Sequence, residues 1–332
     1  MKEDVVAERI QSIVQRPLRL EAAIRPTMYF IGVHTETSMI MRVFPPWAGA
    51  LELGDCELVG IDLALHDQPE RYRQVVRFVK TDPLSVGALV TTHKIDLLHA
   101  AKDLFDGLDE LASLMGEVSA ISKSDGRLIG TAKDPITAGG ALAAFLPERH
   151  WERTGADAFL MGAGGSSIAL SWYLAHPDRG RNRPARIFVS NRSPRRLEEM
   201  QRIHDSHGIE VPIEYVLTPR PEDNDRVMLK LAPGSLVANA TGLGKDAPGS
   251  PITDAGVFPR NGLAWDFNYR GELEFLRQAY AQEQRSGLHV EDGWVYFVIG
   301  WLAGIGEVFG KNIPLNGPFF DTLRRIAEAE RR

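Results

Sequence analysis

The chain has 332 residues, 44 % of them hydrophobic, and a formal net charge of −6; that length suits two domains, or one large one, with enough apolar material for a proper core. The mild acidity argues against nucleic acid or an anionic membrane as the main partner, and no apolar run approaches the roughly 18 residues of a membrane span. The single cysteine, Cys56, excludes an internal disulfide and fits a reducing, cytoplasmic setting, and the nine histidines have no paired spacing, so no metal is expected. Residues 1–20, MKEDVVAERIQSIVQRPLRL, are charged and amphipathic without a signal-peptide core, and read as an extra helix. MYFIGV (28–33), ELVGIDLAL (57–65) and VGALVTT (86–92) read as buried strands. QPERYRQVVRFVKTD, between the last two, has helical spacing, and strand–helix–strand order predicts a parallel sheet.

VTTHKIDLLHAA places Lys94 at the start of a helix whose apolar face is Leu97, Leu98, Ala101, Leu104 and Phe105. That end of a helix is positive, so an ammonium there is either merely solvated or wanted for a weakened hold on its proton. His93 beside it reads as an exposed helix residue. SDGRLIG (124–130) reads as a hairpin around an Asp-Gly turn. Asp134, before Pro135, has the makings of a helix cap for PITAGGALAAFL.

A second series starts near Ala156. ADAFLMGAGGSSIALSWYLA is a strand, a glycine turn and a helix; ARIFVSNRSPRRLEEM is a strand ending at Asn191 and a further helix; SLVANAT and GLAWDFNY are more strands. This is the βαβ pattern of a dinucleotide-binding domain. HPDRGRNRPA and RPEDNDRV read as solvent loops. The tail from Asp292 reads as largely helical and folding back on the first unit, and Ala303, Gly304 and Gly306 predict close helix packing. Gly162, Ala163, Gly164, Gly165 and Ser166 form the strand-to-helix turn at which a pyrophosphate approaches backbone N–H groups. The third fingerprint position is Ser167 rather than glycine, and a ligand-free turn shares the pattern. NAD-binding domains place an acidic residue at the end of the second strand. This chain has Asn191, Arg192, Ser193, Arg195 and Arg196, which suit a 2′-phosphate, so NADP is expected over NAD. A basic helix start on the surface is the plainer reading of those arginines.

GALVTTHK, GEVSAISKSDGRLIGTAKD, GAGGSS, NRSPRR, NAT, DFNY and EDG stand in the order found in the shikimate/quinate dehydrogenase family, which the chain resembles from about Met28 to Gly310. The resemblance implies an α/β fold with an N-terminal α/β substrate domain, a Rossmann-type dinucleotide-binding domain, and C-terminal helices packing back on the substrate domain. In this chain those are residues 1–137, 138–290 and 291–332. It implies hydride transfer between NAD(P) and a ring hydroxyl of a shikimate-like cyclic acid, in aromatic amino acid biosynthesis, with Lys94 and Asp134 as the proton-transfer pair. It places substrate contacts on Thr35, Thr37, Thr91, Ser119 and Tyr269. Beyond the glycine turn and the Asn191–Arg196 segment, it places cofactor contacts on Asn239, Thr241, Phe267 and Gly293.

Several positions depart from the family pattern. Thr35 and Thr37 stand for a serine pair, Leu89 and Ser119 for two asparagines, and Gly300 for a glutamine. Each lost partner leaves a substrate hydroxyl unpaired, so an acidic ring other than shikimate is expected to be the better substrate. A quinate- or aminoshikimate-type dehydrogenase and a non-catalytic dinucleotide-binding protein are the alternatives. The expected partner is a small cyclic hydroxy acid; a homodimer is left open.

Overall fold

In the computed structural model, which describes residues 18–245 and 247–331, the chain divides into two units. Of the described residues, 18–133 and 301–331 form unit one, and those from 134 to 300 form unit two. Residues 1–17 of the expected N-terminal helix lie outside the described residues. Leu18 and Leu20, which are not helical, pack against the core of unit one.

In unit one, β1 (Thr27–Gly32) pairs in parallel with β2 (Glu57–Asp62) and β3 (Ser85–Val90). Between them run α1 (Ile40–Ala50) and α2 (Pro69–Thr81), and α3 (Lys94–Ala101) follows β3. Then come β4 (Gly107–Leu108), α4 (Glu110–Met115), β5 (Ala120–Ser124) and β6 (Arg127–Thr131), giving the order β2-β1-β3-β5-β6-β4. The β5–β6 hairpin turns on Asp125 and Gly126, both at positive φ (50° and 73°), as a tight Asp-Gly turn requires. The helices bury period-3.6 faces, among them Tyr72, Val75, Val76 and Val79 of α2 and Leu97, Leu98 and Ala101 of α3. Helix α1 has no counterpart in the sequence reading, because Pro45 and Pro46 interrupt its pattern; burial of Ile40, Val43, Phe44, Trp47 and Ala48 outweighs that defect.

Unit two opens with α5 (Asp134–Ala143) and α6 (His150–Thr154), followed by β7 (Ala158–Met161), α7 (Gly165–Ala175), β8 (Ile187–Asn191), α8 (Pro194–Ser206) and β9 (Ile213–Leu217). Next are α9 (Pro221–Met228), β10 (Leu236–Asn239), β11 (Leu263–Asp266), α10 (Glu274–Tyr280), α11 (Glu283–Ser286) and β12 (His289–Glu291). The sheet is parallel throughout, in the order β12-β11-β10-β7-β8-β9. This is the doubly wound order, whose direction reverses between β7 and β10; ligands of such sheets bind beyond the strand ends at that point. The segment read as the loop RPEDNDRV is instead helix α9. Pro221 sits in its first turn, Asp223 accepts the Arg220 backbone N–H at 3.1 Å, and Asn224, Val227 and Met228 give it a buried face.

Helix α12 (Trp294–Phe309) contains the division between units, and α13 (Gly317–Glu330) belongs to unit one. There Trp47 Nε1 donates to the Leu323 carbonyl at 2.8 Å. The small residues of α12 permit close packing: a Cβ on Gly304 would stand 2.3 Å from Leu89 Cδ1. Among the described residues no helix is long and apolar enough to cross a membrane.

Candidate active site

The turn after β7 is built for close backbone approach. Gly162 has φ +109°, and a Cβ there would meet the Ala240 carbonyl oxygen at 2.7 Å, so the turn lies directly against the chain leaving β10. Gly164 caps α7 in extended conformation with no side-chain cap, and a Cβ on it would meet open space. Ala163 is buried and Ser166 half-buried. The first N–H groups of an 11-residue helix thus lack a side-chain cap beside a vacant approach, which fits a dinucleotide pyrophosphate.

At the end of β8, Asn191 Oδ1 accepts the Ser193 N–H at 2.8 Å and fixes the start of α8. Arg195 and Arg196 both turn to Glu199, at 3.5 and 3.1 Å. Arg192 is exposed and makes no ion pair with the described residues, so of the three it is the cation left for a 2′-phosphate.

The ends of β10 and β11 carry a largely buried polar network. Asn239 is fully buried; its Oδ1 accepts the backbone N–H and the hydroxyl of Thr241 at 3.1 and 2.6 Å, and its Nδ2 donates to Asp266 Oδ1 at 3.1 Å. Asp266 also accepts the Asn268 backbone N–H at 2.9 Å, while its Oδ2 is buried without a partner. Burial is the first cause that pushes the Asp266 carboxyl up to about 7, with the Asp292 charge acting in the same direction. The Phe267 N–H donates to the Asn239 carbonyl at 3.0 Å, and a Cβ on Gly293 would stand 2.1 Å from the Phe267 carbonyl oxygen. The structure therefore gathers Asn239, Thr241, Phe267 and Gly293 at one edge of unit two. Tyr269 is half-buried, its ring 4.7 Å from that of Phe297 and 5.7 Å from that of Trp294.

In unit one Lys94 is the first residue of α3 and is half-buried. His93, expected on the surface, is 1 % exposed. Its Nδ1 lies 3.2 Å from the Tyr72 hydroxyl, and burial lowers its pKa, so the ring is neutral and anchors the start of α3. Thr91 donates its hydroxyl to the Ile31 carbonyl at 3.3 Å. The Thr35 side chain is buried, with its hydroxyl proton given to Asp62 at 2.6 Å; Thr37 is exposed, with a long bond to the His34 carbonyl at 3.4 Å. Ser119 Oγ accepts the Lys133 N–H at 2.7 Å. Asp134 opens α5 in unit two and is buried. Gly300 has open space where a Cβ would stand. The sequence reading passed over Asp62, Tyr72, Asp266 and Asn268; strand register brings Asp62, Asp266 and Asn268 to these sites, and the packing of α2 on α3 brings Tyr72.

A cavity of about 290 Å³ in unit two, lined by His150, Arg153, Leu263 and His289, opens at the opposite, N-terminal ends of β11 and β12. It touches none of the residues above.

No protein-family model matches the chain. It is 29 % identical over 248 residues to a shikimate dehydrogenase (NADP(+)) of Symbiobacterium thermophilum, covering 74 % of this chain and 77 % of that one. To the Streptococcus gordonii protein of the same name it is 30 % identical over 210 residues, covering 63 % of this chain and 68 % of that one. Among solved structures, it superposes on shikimate 5-dehydrogenase from Thermus thermophilus, in complex with NADP(H) and shikimate, with a TM-score of 0.66 at 22 % identity. That match covers 92 % of this chain and 99 % of the other. It superposes on quinate dehydrogenase from Corynebacterium glutamicum, in complex with NAD, with a TM-score of 0.69 at 18 % identity over 92 % and 99 % of the two chains.

Proposed function

The chain belongs to the shikimate dehydrogenase family, and from that premise we propose that it is an NADP-dependent dehydrogenase acting on a ring hydroxyl of a shikimate-like cyclic acid. One observation carries the reading: the open turn at Gly164 and the uncommitted Arg192 follow β7 and β8, which are adjacent strands of the doubly wound sheet. In this reading residues 138–290 hold the dinucleotide, and residues 1–137 with 291–332 hold the ring acid.

The dinucleotide, when bound, supplies the hydride acceptor or donor. This chain's residues do the remaining work. The uncapped start of α7 holds the pyrophosphate, and Arg192 binds the 2′-phosphate with charge-assisted hydrogen bonds. Lys94 takes the hydroxyl proton as the hydride leaves, and returns it in the reverse direction; this requires its Nζ within about 3 Å of that hydroxyl. Asp134, at the start of α5, is the second member of the proton-transfer pair. Thr37, Thr91 and Tyr269 offer hydroxyls to the ring acid. The reading includes a cytoplasmic location; sedimentation decides between a monomer and a homodimer.

A quinate-type substrate is the second reading. Gly300, with open space at its Cβ position, favours a ring bulkier than shikimate. The test is steady-state NADP reduction with shikimate and quinate, and NADPH oxidation with 3-dehydroshikimate. Turnover on at least one, with shikimate not the best, is expected. Tight NADPH binding without turnover on any cyclic hydroxy acid overturns the enzymatic reading in favour of a binding module.

A further inference from the structure

Asp266 is a buried acid that the proton-transfer scheme leaves unused. It ends β11, is 0 % exposed, and sits beside the turn that leaves β10. That turn is tied down at several points. Asn239 holds the backbone and hydroxyl of Thr241, and Thr241 Oγ1 accepts the Leu243 N–H at 3.2 Å. Asn268 Nδ2 donates to the Thr241 and Leu243 carbonyls at 3.3 and 3.0 Å. Both asparagines converge on Asp266, Asn239 through its own Nδ2 and Asn268 through the backbone N–H that follows the acid.

The two oxygens of Asp266 differ sharply. Oδ1 takes two donors, and Oδ2 is buried and takes none. A charged oxygen in that position would be stripped of water and given nothing in return. A proton on Oδ2 removes the charge, reduces the cost to that of one unpaired hydroxyl, and leaves Oδ1 free to accept both N–H groups.

The charged surroundings do not favour ionisation. Asp292 adds a like charge. Glu291 of β12 pairs with Trp265, one residue back and so on the opposite face of the sheet. Helix α10, packed on β11, carries Glu274 and Arg277, which bond each other at 3.0 Å. Lys245 lies beyond the last tie of the turn. His289 pairs with Leu263 at the far end of the strand.

We propose that Asp266 is held as a neutral carboxylic acid and serves as a positioning residue, pinning the Asn239–Leu243 turn in the form that receives the dinucleotide. Its ionisation would place a bare charge in the network and loosen the turn. Because its pKa lies at about 7, cofactor binding is full at slightly acid pH and falls as pH rises through neutrality.

The proposal rests on the dinucleotide reading of unit two, so the experiment has two arms. In the first, the carboxyl carbons of ¹³C-aspartate-labelled protein are titrated by NMR without cofactor. One carboxyl should titrate near neutrality in wild type and vanish in Asp266→Asn. If every aspartate instead titrates in the usual range near about 3.9, the proposal is overturned, and this arm decides even if the variant fails to fold. In the second arm, the NADP Kd is measured from pH 6 to 9. Wild type should weaken toward about tenfold per pH unit above its midpoint. Asp266→Asn, which keeps a neutral acceptor, should bind like wild type at pH 6 and lose that slope; the titration of the cofactor's own 2′-phosphate is common to both. Asp266→Ala should bind poorly at every pH. Asp266→Asn binding as poorly as Asp266→Ala at pH 6 would overturn the neutral acid. A wild type that binds no NADP at any pH, with the near-neutral titration intact, would remove the dinucleotide reading and the positioning role with it, while leaving the buried acid.

Discussion

Asp62 Oδ1 grips Thr35 twice, accepting its backbone N–H at 2.9 Å and its hydroxyl at 2.6 Å. Gly60 leaves the room for this, since a Cβ there would stand 2.1 Å from Thr35 Oγ1. A hydroxyl whose proton is committed to one carboxylate does not donate to another, so of the threonine pair only Thr37 keeps a hydroxyl for an acidic substrate. Thr35→Val should lower stability by about 1 kcal/mol and change the KM of the acid less than about threefold, as seen in denaturant unfolding and steady-state kinetics. A large rise in KM with unchanged stability would return Thr35 to the substrate.

Gly164 separates folding from binding. Its φ of −99° suits any residue, and nothing in the fold occupies its Cβ position. Gly164→Ala should leave stability within about 1 kcal/mol while raising the KM for NADP about tenfold or more, about 1.4 kcal/mol of lost approach to the phosphates. Gly162→Ala should damage both, because φ +109° and the Ala240 carbonyl oppose a side chain there. Equal KM values for wild type and Gly164→Ala would place the cofactor elsewhere.

The arginines after β8 are not equivalent. Arg192→Ala should raise the KM for NADP about ten- to a hundredfold, the loss of roughly 1.5–3 kcal/mol, and barely affect NAD. Arg196→Ala should do less, since that side chain already bonds Glu199 at 3.1 Å. Matching effects of Arg192→Ala on both cofactors would remove the 2′-phosphate contact.

His204 makes unit two sensitive to acid. It is 3 % exposed, with Nε2 at 2.8 Å from Ser171 Oγ and Nδ1 at 2.6 Å from the Tyr215 hydroxyl, and burial holds its pKa down to about 4. The unfolded chain protonates a histidine near about 6.5. Stability from this group is therefore complete above that pH and is lost as pH falls toward 4, by about 3 kcal/mol over the window. His204→Gln should flatten that part of the urea-unfolding profile between pH 7 and pH 4. A variant profile parallel to wild type would show that His204 is protonated without cost.

Most strands and the helices α7 and α8 were legible because they follow simple periods bounded by Gly, Pro and Asp-Gly signals, whereas the short strands β4, β9 and β12 were not read. Helix α1 was not, because Pro45 and Pro46 mask a face that only tertiary burial of Phe44 and Trp47 makes worthwhile. Helix α9 looked like a loop because its exposed charges outnumber Asn224, Val227 and Met228. His93 looked exposed because its partner, Tyr72, lies 21 residues earlier in a different helix. At the candidate site, GAGGSS and SNRSPRR point to a cofactor from local chemistry alone. The commitment of Thr35 to Asp62, and of Asp266 to two asparagines, depends on strand register and has no local signal.

Hydride transfer to a nicotinamide is tested most directly by tracing the hydrogen. A cyclic hydroxy acid that turns over, deuterated at its carbinol carbon, is incubated with NADP and either wild type or Lys94→Ala. Wild type should place the label on the reduced nicotinamide. Lys94→Ala should do so about 10²–10⁴-fold more slowly with NADP affinity preserved. Label lost to solvent, or equal rates in the two proteins, would contradict the account.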